Sequence, residues 1–278
     1  MSVLYIVSTP IGNLNDISLR AIETLKKVDF VAVEDTRHSK KLLFHFNIEK
    51  NLLPYHDFST EKQTNKLLDL LQQGHSIALI SDAGTPLIAD PGYQLVKQAL
   101  ANDIQVTPIP GCSALVAALS VSGLPTHAFH FYGFLPAKSH ARQEVFNAVI
   151  DIKETLIFYE APHRILAALT DAMNVFGGDR LATVARELTK TYETLIHGSL
   201  YDLVEQVRAD KMQQKGEFVV MISGCKEVKK KALPIVCEQL ALALKNELPP
   251  KKIAKILAAQ FSVEAKLIYQ YIVDLKSS

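Results

Sequence analysis

Three times within the first 115 residues, an apolar run that reads as a buried strand empties into a loop of small residues, and an amphipathic helix follows. The fullest instance is Leu79 to Gly92, LISDAGTPLIADPG. Here the run Ile77 to Ile80 ends in Ser81, Asp82, Ala83, Gly84, Thr85 and Pro86, and the chain turns helical near Tyr93. The first instance is Leu4 to Val7 followed by Ser8-Thr9-Pro10-Ile11-Gly12-Asn13. The third is Gln105 to Thr107 followed by Pro108-Ile109-Pro110-Gly111-Cys112-Ser113. Small residues let a ligand approach the backbone closely. Open α/β sheets place ligands beyond the carboxyl ends of their strands. One such loop is only an economical strand-to-helix turn. Three on neighbouring strands would form a shared pocket walled by backbone amides.

The pattern predicts strands over 3–8, 29–33, 76–80 and 105–108, with helices over 16–27, 36–45, 60–73, 92–101 and 112–121. Alternation of this kind implies a parallel sheet with helices on both faces. The near-continuous apolar stretch Phe30 to Val33 suits a strand covered on both sides. At Ser122-Gly123-Leu124-Pro125-Thr126 the alternation breaks, and a hinge is expected. A second α/β unit follows, with strands over 129–133, 155–159, 181–186, 192–197 and 217–223 and helices over 139–149, 162–174 and 199–210. Tyr192 follows the strand 181–186 too closely for a helical crossover, so this sheet is expected to be of mixed direction.

Lys226 to Pro234 reads as a linker, and beyond it only helices are expected, over 235–244, 251–260 and 263–275. Pro250 can open the second of these and Ser262 can cap the third. Two helices joined so tightly behind another resemble a helix-turn-helix unit. Residues 226–278 hold ten lysines and no arginine against five carboxylates, a net of +5, while residues 1–225 are net −4. A separate basic tail suits contact with an anionic polymer, although a lysine-rich solvated surface has the same composition. The expected domains are therefore 1–122, 123–225 and 226–278.

Several chemistries drop out. The nine histidines are scattered without an HxH or HExxH pair, and the three cysteines have no CxxC spacing, so no metal site is expected. There is no GxSxG elbow, P-loop or GxGxxG fingerprint. Every apolar run is broken by Pro, Gly or charge before it reaches membrane-spanning length, and the start MSVLYIVSTP is unlike a signal peptide. A reducing, cytoplasmic setting is the expectation.

Charged residues gather where strands end. Glu34-Asp35-Thr36-Arg37 follows the second strand, Glu160-Ala161-Pro162-His163-Arg164 follows the strand 155–159, and Arg186-Glu187-Leu188-Thr189-Lys190 follows the strand 181–186. A structural ion-pair network would read the same way, but charge concentrated at strand ends is more expected of a site than of a scaffold.

The segments YIVSTPIGNLNDIS, VEDTR, LISDAGTPLIADPG, PIPGCSALVAALSVSGLP, FYGFLP, FYEAPHRI, ARELTKTYE and GEFVVMISG occur in that order. Together they make the chain resemble the ribosomal RNA small-subunit methyltransferase I branch of the tetrapyrrole-methylase superfamily. The resemblance implies two α/β domains of the class III methyltransferase type with a cofactor cleft between them, plus a small helical C-terminal domain. It implies 2′-O-methylation of a cytidine in the decoding region of 16S ribosomal RNA, S-adenosylmethionine as cofactor, no membrane partner, and a homodimer. Carried over by motif, the methionine and ribose parts of the cofactor would meet Pro10, Asp82, Ala83, Gly84, Thr85 and Ile88. Adenine would lie near Ser113, Ala114, Tyr159, Glu160 and Ala161, with Gly216, Glu217 and Phe218 closing the pocket. Thr9-Pro10-Ile11-Gly12-Asn13 stands where relatives acting on corrin precursors carry a glycine-rich loop.

Methyl transfer to a ribose hydroxyl benefits from a base within hydrogen-bond reach. Asp35, Glu160 and Glu187 are all candidates. Arg37, Arg164 and Arg186 suit phosphate or base contacts, as do Lys251, Lys252 and Lys255 in the tail. Two alternatives stand beside this reading. A methylase of a corrin or porphyrin precursor would share the pocket but have no use for the basic tail. A nucleic-acid-binding regulator would use the tail and leave the two large domains without a purpose.

Overall fold

The computed structural model describes residues 2–56, 61–225, 233–261 and 263–277. The chain divides into two compact units, residues 1–225 and residues 226–278.

The first half of the larger unit carries strands β1 (Val3–Val7), β2 (Phe30–Val33), β3 (Asn51–Pro54), β4 (Ile77–Ile80) and β5 (Gln105–Ile109). They form one sheet in the order β3-β2-β4-β1-β5, every pair parallel. Its helices are α1 (Leu19–Lys27), α2 (Thr36–His45), α3 (Glu61–Gln72), α4 (Tyr93–Ala101) and α5 (Ala114–Ser120). Successive strand residues point to opposite faces, and both faces are covered. Leu4, Ile77 and Leu79 pack with Leu67, Leu71 and Leu95, whereas Val7, Val31 and Ile80 pack with Ala21, Leu25 and Leu43. That double burial is why Ile77 to Ile80 is apolar at every position.

Strand β3 was not expected. Its sequence, Asn-Leu-Leu-Pro, is short and ends in proline, and it pairs only with β2 at the sheet edge. An edge strand tolerates a proline because one side of it needs no hydrogen-bond donor. The order also places β4, β1 and β5 side by side, so the three small-residue loops are neighbours.

The second half carries β6 (Phe129–Phe134), β7 (Thr155–Glu160), β8 (Leu181–Arg186), β9 (Thr194–Ser199) and β10 (Phe218–Ile222), ordered β6-β7-β10-β8-β9. Only β6 and β7 run parallel; β8 and β9 form the antiparallel pair that their close spacing required. One face, through Leu156, Phe158, Val184 and Val220, packs on α6 (Ser139–Ala148), α7 (Ile165–Phe176) and α8 (Leu200–Ala209). The other face, through Ile157, Val219 and Met221, is covered by Leu115, Ala118 and Leu119 of α5. A helix that follows the first sheet thus seals the second, and each such buried Leu contributes about 1.5–3 kcal/mol. The stretch expected as a hinge is tied down from the same sheet. Thr155 and Thr183 donate their hydroxyls to the carbonyls of Pro125 (2.6 Å) and Ser122 (2.7 Å).

The smaller unit holds α9 (Ile235–Leu244), α10 (Pro250–Phe261) and α11 (Ala265–Ser277). They close around Cys237, Ala241, Ile253, Leu257, Ile268 and Ile272. Pro250 opens α10, where its fixed φ suits a first helical turn. Ser262, and the expected linker apart from Leu233 and Pro234, lie outside the described residues. Among the described residues no helix is long and apolar enough to cross a membrane.

Candidate functional site

A cleft of about 420 Å³ opens in the larger unit where the strands of both sheets end. Its first wall is made of Ile11, Glu34, residues 82–85 and 88–90, Ser113 and Ala114. The second is made of Phe134, residues 159–162, Ala185, Leu188 and residues 217–219.

Backbone builds the first wall. Thr9 and Gly84 exchange two main-chain hydrogen bonds, Thr9 N to Gly84 O at 2.8 Å and Gly84 N to Thr9 O at 3.1 Å. Thr85 donates its hydroxyl to Cys112 O at 2.8 Å, which leaves Ser8 as donor in the 2.8 Å contact between the Ser8 and Thr85 hydroxyls. The three loops are therefore stitched to one another directly. Gly111 is required for this, because a Cβ there would stand 2.8 Å from Ser8 Cβ. Gly84 has φ +81°, a conformation that costs glycine little. Leu87 (φ 73°) and Ala89 (φ 63°) adopt the left-handed region without that freedom. Strain of this sort concentrates at functional loops. Asp82 Oδ1 accepts from Asp35 N at 3.2 Å, fixing its carboxylate beside the start of α2.

Side chains build the second wall. Tyr159 Oη accepts from Leu115 N at 3.0 Å. That amide lies in the first turn of α5, where Ser113 gives no side-chain cap. Burial, and then the charge of Asp90, push the Tyr159 hydroxyl above the usual phenol range. Glu160 is buried; its Oε1 accepts from Ala161 N (2.7 Å) and Arg164 Nη2 (2.8 Å). Its Oε2 is buried with no hydrogen-bond partner. An unsatisfied carboxylate oxygen is costly to keep in a folded chain.

Charge divides sharply. Among the described residues five carboxylates line the cleft, those of Glu34, Asp82, Asp90, Glu160 and Glu217, and no lysine or arginine does; Arg164 and Lys190, outside the lining, pair with Glu160 and Glu217. Such a surface favours a small cationic ligand over an anionic one. Among the described residues no three His, Cys, Asp or Glu side chains gather to hold a metal ion.

The family model of the tetrapyrrole (corrin/porphyrin) methylases matches residues 3–204. The chain belongs to the tetrapyrrole methylase family. Within it the chain groups with proteins named ribosomal RNA small subunit methyltransferase I. That of Xylella fastidiosa is 48% identical over 96% of this chain and 97% of its own length. That of Vibrio cholerae is 45% identical over 97% and 93% respectively. Among solved structures a diphthine synthase shares the fold, with a TM-score of 0.63 at 17% identity, covering 80% of this chain and 90% of that one.

Of the cofactor contacts that the tetrapyrrole methylase motifs imply, Asp82, Ala83, Gly84, Thr85, Ile88, Ser113 and Ala114 line the first wall. Tyr159, Glu160, Ala161, Glu217 and Phe218 line the second. Pro10 and Gly216 do not. Pro10 is buried next to the Thr9–Gly84 pair, and Gly216 (φ +100°) packs on Glu187, whose Cγ would lie 2.4 Å from an added Cβ.

The three candidate bases separate. Glu160 lines the cleft. Asp35 instead caps α2, accepts from Arg37 N at 2.7 Å and pairs with Arg37 Nη2 at 3.0 Å. These hydrogen bonds from Arg37 hold its carboxyl at about 2. Glu187 (φ 50°) accepts from Lys190 Nζ at 2.9 Å and Glu217 N at 2.8 Å. Burial alone would raise the Glu187 carboxyl, but the hydrogen bonds from Lys190 and Glu217 and the charges of Lys190 and Arg186 outweigh it, so it lies below the usual range.

The arginines separate too. Arg37 is exposed, and Arg164 is held by Glu160. Arg186 is buried, donating to the carbonyls of Lys215 (2.6 Å) and Tyr192 (3.0 Å), so its guanidinium braces loops. Lys251, Lys252 and Lys255 stand on exposed positions of α10 in the smaller unit. Sequence reasoning missed nine lining residues, among them the carboxylates Glu34 and Asp90 and the apolar Phe134 and Leu188. Phe134 and Leu188 lie inside the motifs FYGFLP and ARELTKTYE, so the signal was present but no periodicity singled them out.

Proposed function

We propose that this chain transfers a methyl group from S-adenosylmethionine to the 2′-hydroxyl of a cytidine in the 16S RNA of the small ribosomal subunit. The observation that carries this reading is a cleft whose described lining holds five carboxylates and no lysine or arginine, in a chain 45–48% identical to ribosomal RNA methyltransferases. The residues present fit the cofactor. Its sulfonium and ammonium groups are cationic and meet an acidic lining, and Gly84 leaves the first wall open to close approach. Asp82, Gly84, Thr85 and Ile88 would hold the methionine and ribose parts. Ser113, Ala114, Tyr159 and Ala161 would hold adenine, with Glu217 and Phe218 closing the pocket. The walls come from residues 1–122 and 123–225, which we treat as the two domains of the enzyme.

When bound, the cofactor supplies an electrophilic methyl carbon. The chain then has three tasks: to align the hydroxyl, to exclude water and to receive a proton. Alignment alone can be worth on the order of 7–11 kcal/mol. Glu160 is the group we assign as base, with the proton of the ribose hydroxyl passing to Oε2: Arg164 holds only its Oε1, Oε2 has no partner, and Asp35 and Glu187 lie off the cleft lining. Only an unpaired, splayed nucleotide could reach such a cleft, which is how proteins commonly read RNA.

Mass spectrometry of 16S ribosomal RNA from a strain lacking the gene tests substrate and chemistry together. Loss of one ribose methyl on a cytidine, restored by the gene, is expected; an unchanged modification map overturns the reading. The tail has its own test. Replacing Lys251, Lys252 and Lys255 by Gln should lower the salt slope of RNA binding by up to about 0.7 per lost phosphate contact, with cofactor affinity unchanged.

A further inference from the structure

An acidic cleft cannot by itself attract a polyanion, and the larger unit is net −4. RNA that delivers a nucleotide to the cleft must therefore be held by a surface beside it. Helix α2 provides one. Its sequence, TRHSKKLLFH, holds three basic side chains and no acidic one. No other described helix of residues 2–225 has more than one Lys or Arg without a carboxylate.

The spacing puts these groups together. Arg37, Lys40, Lys41 and Phe44 stand at i, i+3, i+4 and i+7, one face of a helix, and all four are exposed. The opposite face, Ser39, Leu42 and Leu43, is buried against the sheet unit. Phe44, 83% exposed, contributes nothing to the core and lies at the far end of the stripe. The near end adjoins the cleft. Glu34 lines it, Asp35 caps α2, and Asp35 N donates to the cleft residue Asp82. Arg37 is largely neutralised by Asp35, so Lys40 and Lys41 carry the excess charge; among the described residues no carboxylate pairs with either.

We infer that α2 is the track for the substrate RNA next to the modified nucleotide, Lys40 and Lys41 meeting backbone phosphates and Phe44 stacking on a base. This rests on the RNA reading above. Phosphate contacts position a nucleic acid, and an exposed aromatic beside them suits the stacking of an unpaired base.

The test uses the full chain and small ribosomal subunits from the deletion strain. Three measurements are compared: equilibrium binding against salt, KM against kcat for methylation, and cofactor affinity by calorimetry. In the double variant Lys40→Gln/Lys41→Gln the salt slope should fall by about 1.4 and KM should rise on the order of tenfold, at unchanged kcat and cofactor affinity. Lys40→Arg/Lys41→Arg should restore both, and Phe44→Ala should raise KM without altering the slope. A double variant with wild-type slope and KM overturns the proposal, as does wild-type protein that binds subunits without salt dependence. If wild-type protein binds subunits but methylates no cytidine, the functional reading fails, while the slope difference still decides the track.

Discussion

The two walls of the cleft are built by opposite means. The wall from the parallel sheet is backbone: Thr9 and Gly84 pair through main-chain atoms, and hydroxyls of Ser8 and Thr85 lock the third loop onto the first two. The wall from the mixed sheet is side chain: Tyr159 reaches across to the α5 amide, and Glu160 is buried with one oxygen unpaired. A wall made of backbone is damaged by adding atoms, and a wall made of side chains by removing them. Substitutions in each wall try that contrast.

The largest effect is expected at Gly84. A Val there must adopt φ +81° and place a branched side chain beside Ile11 on the cleft wall. Calorimetry should show S-adenosylmethionine binding abolished while circular dichroism still reports a folded chain. Unchanged affinity in a folded variant would remove this wall from the cofactor site. Glu160→Gln comes next, with the single-turnover methylation rate falling about 10²–10⁴-fold and both ligands' affinities nearly kept. A lower melting temperature with the rate per folded molecule intact would instead make Glu160 a structural partner of Arg164.

Tyr159→Phe should be milder. It removes the acceptor of the Leu115 amide, so about 0.5–1.5 kcal/mol of stability should be lost by denaturant titration. A larger loss would mean that the two walls are coupled more tightly than one hydrogen bond explains. The smallest effect is a pH dependence on the second wall. The folded Glu187 carboxyl lies below its ordinary value of 4.5. Its stabilising contribution is therefore full above that value and is lost as pH falls through the lower folded one. Lys190→Met should flatten this acid limb of the melting temperature, and an identical limb in the variant would show that Lys190 does not hold Glu187 in solution.

Much of this was legible in the chain alone. The strand-loop-helix repeats are set by local chemistry: apolar runs for doubly covered strands, then residues small enough to turn. The family motifs marked most of the residues that line the cleft, because a ligand approaching backbone needs particular residues at particular positions. Three things were decided only by tertiary structure. Strand β3 exists because a free edge beside β2 could be paired, and its four residues carry no periodicity of their own. Asp35, Glu160 and Glu187 looked equivalent as carboxylates after strands; each meets a cation, and only packing separates the one that lines the cleft with an oxygen left unpaired from the two that lie off it. Arg186 likewise reads as an RNA contact until the fold buries it among carbonyls. Sequence fixes what a residue can do within a few neighbours along the chain. Which charge meets a ligand and which meets another part of the protein depends on contacts between distant segments, and only the packed fold supplies those.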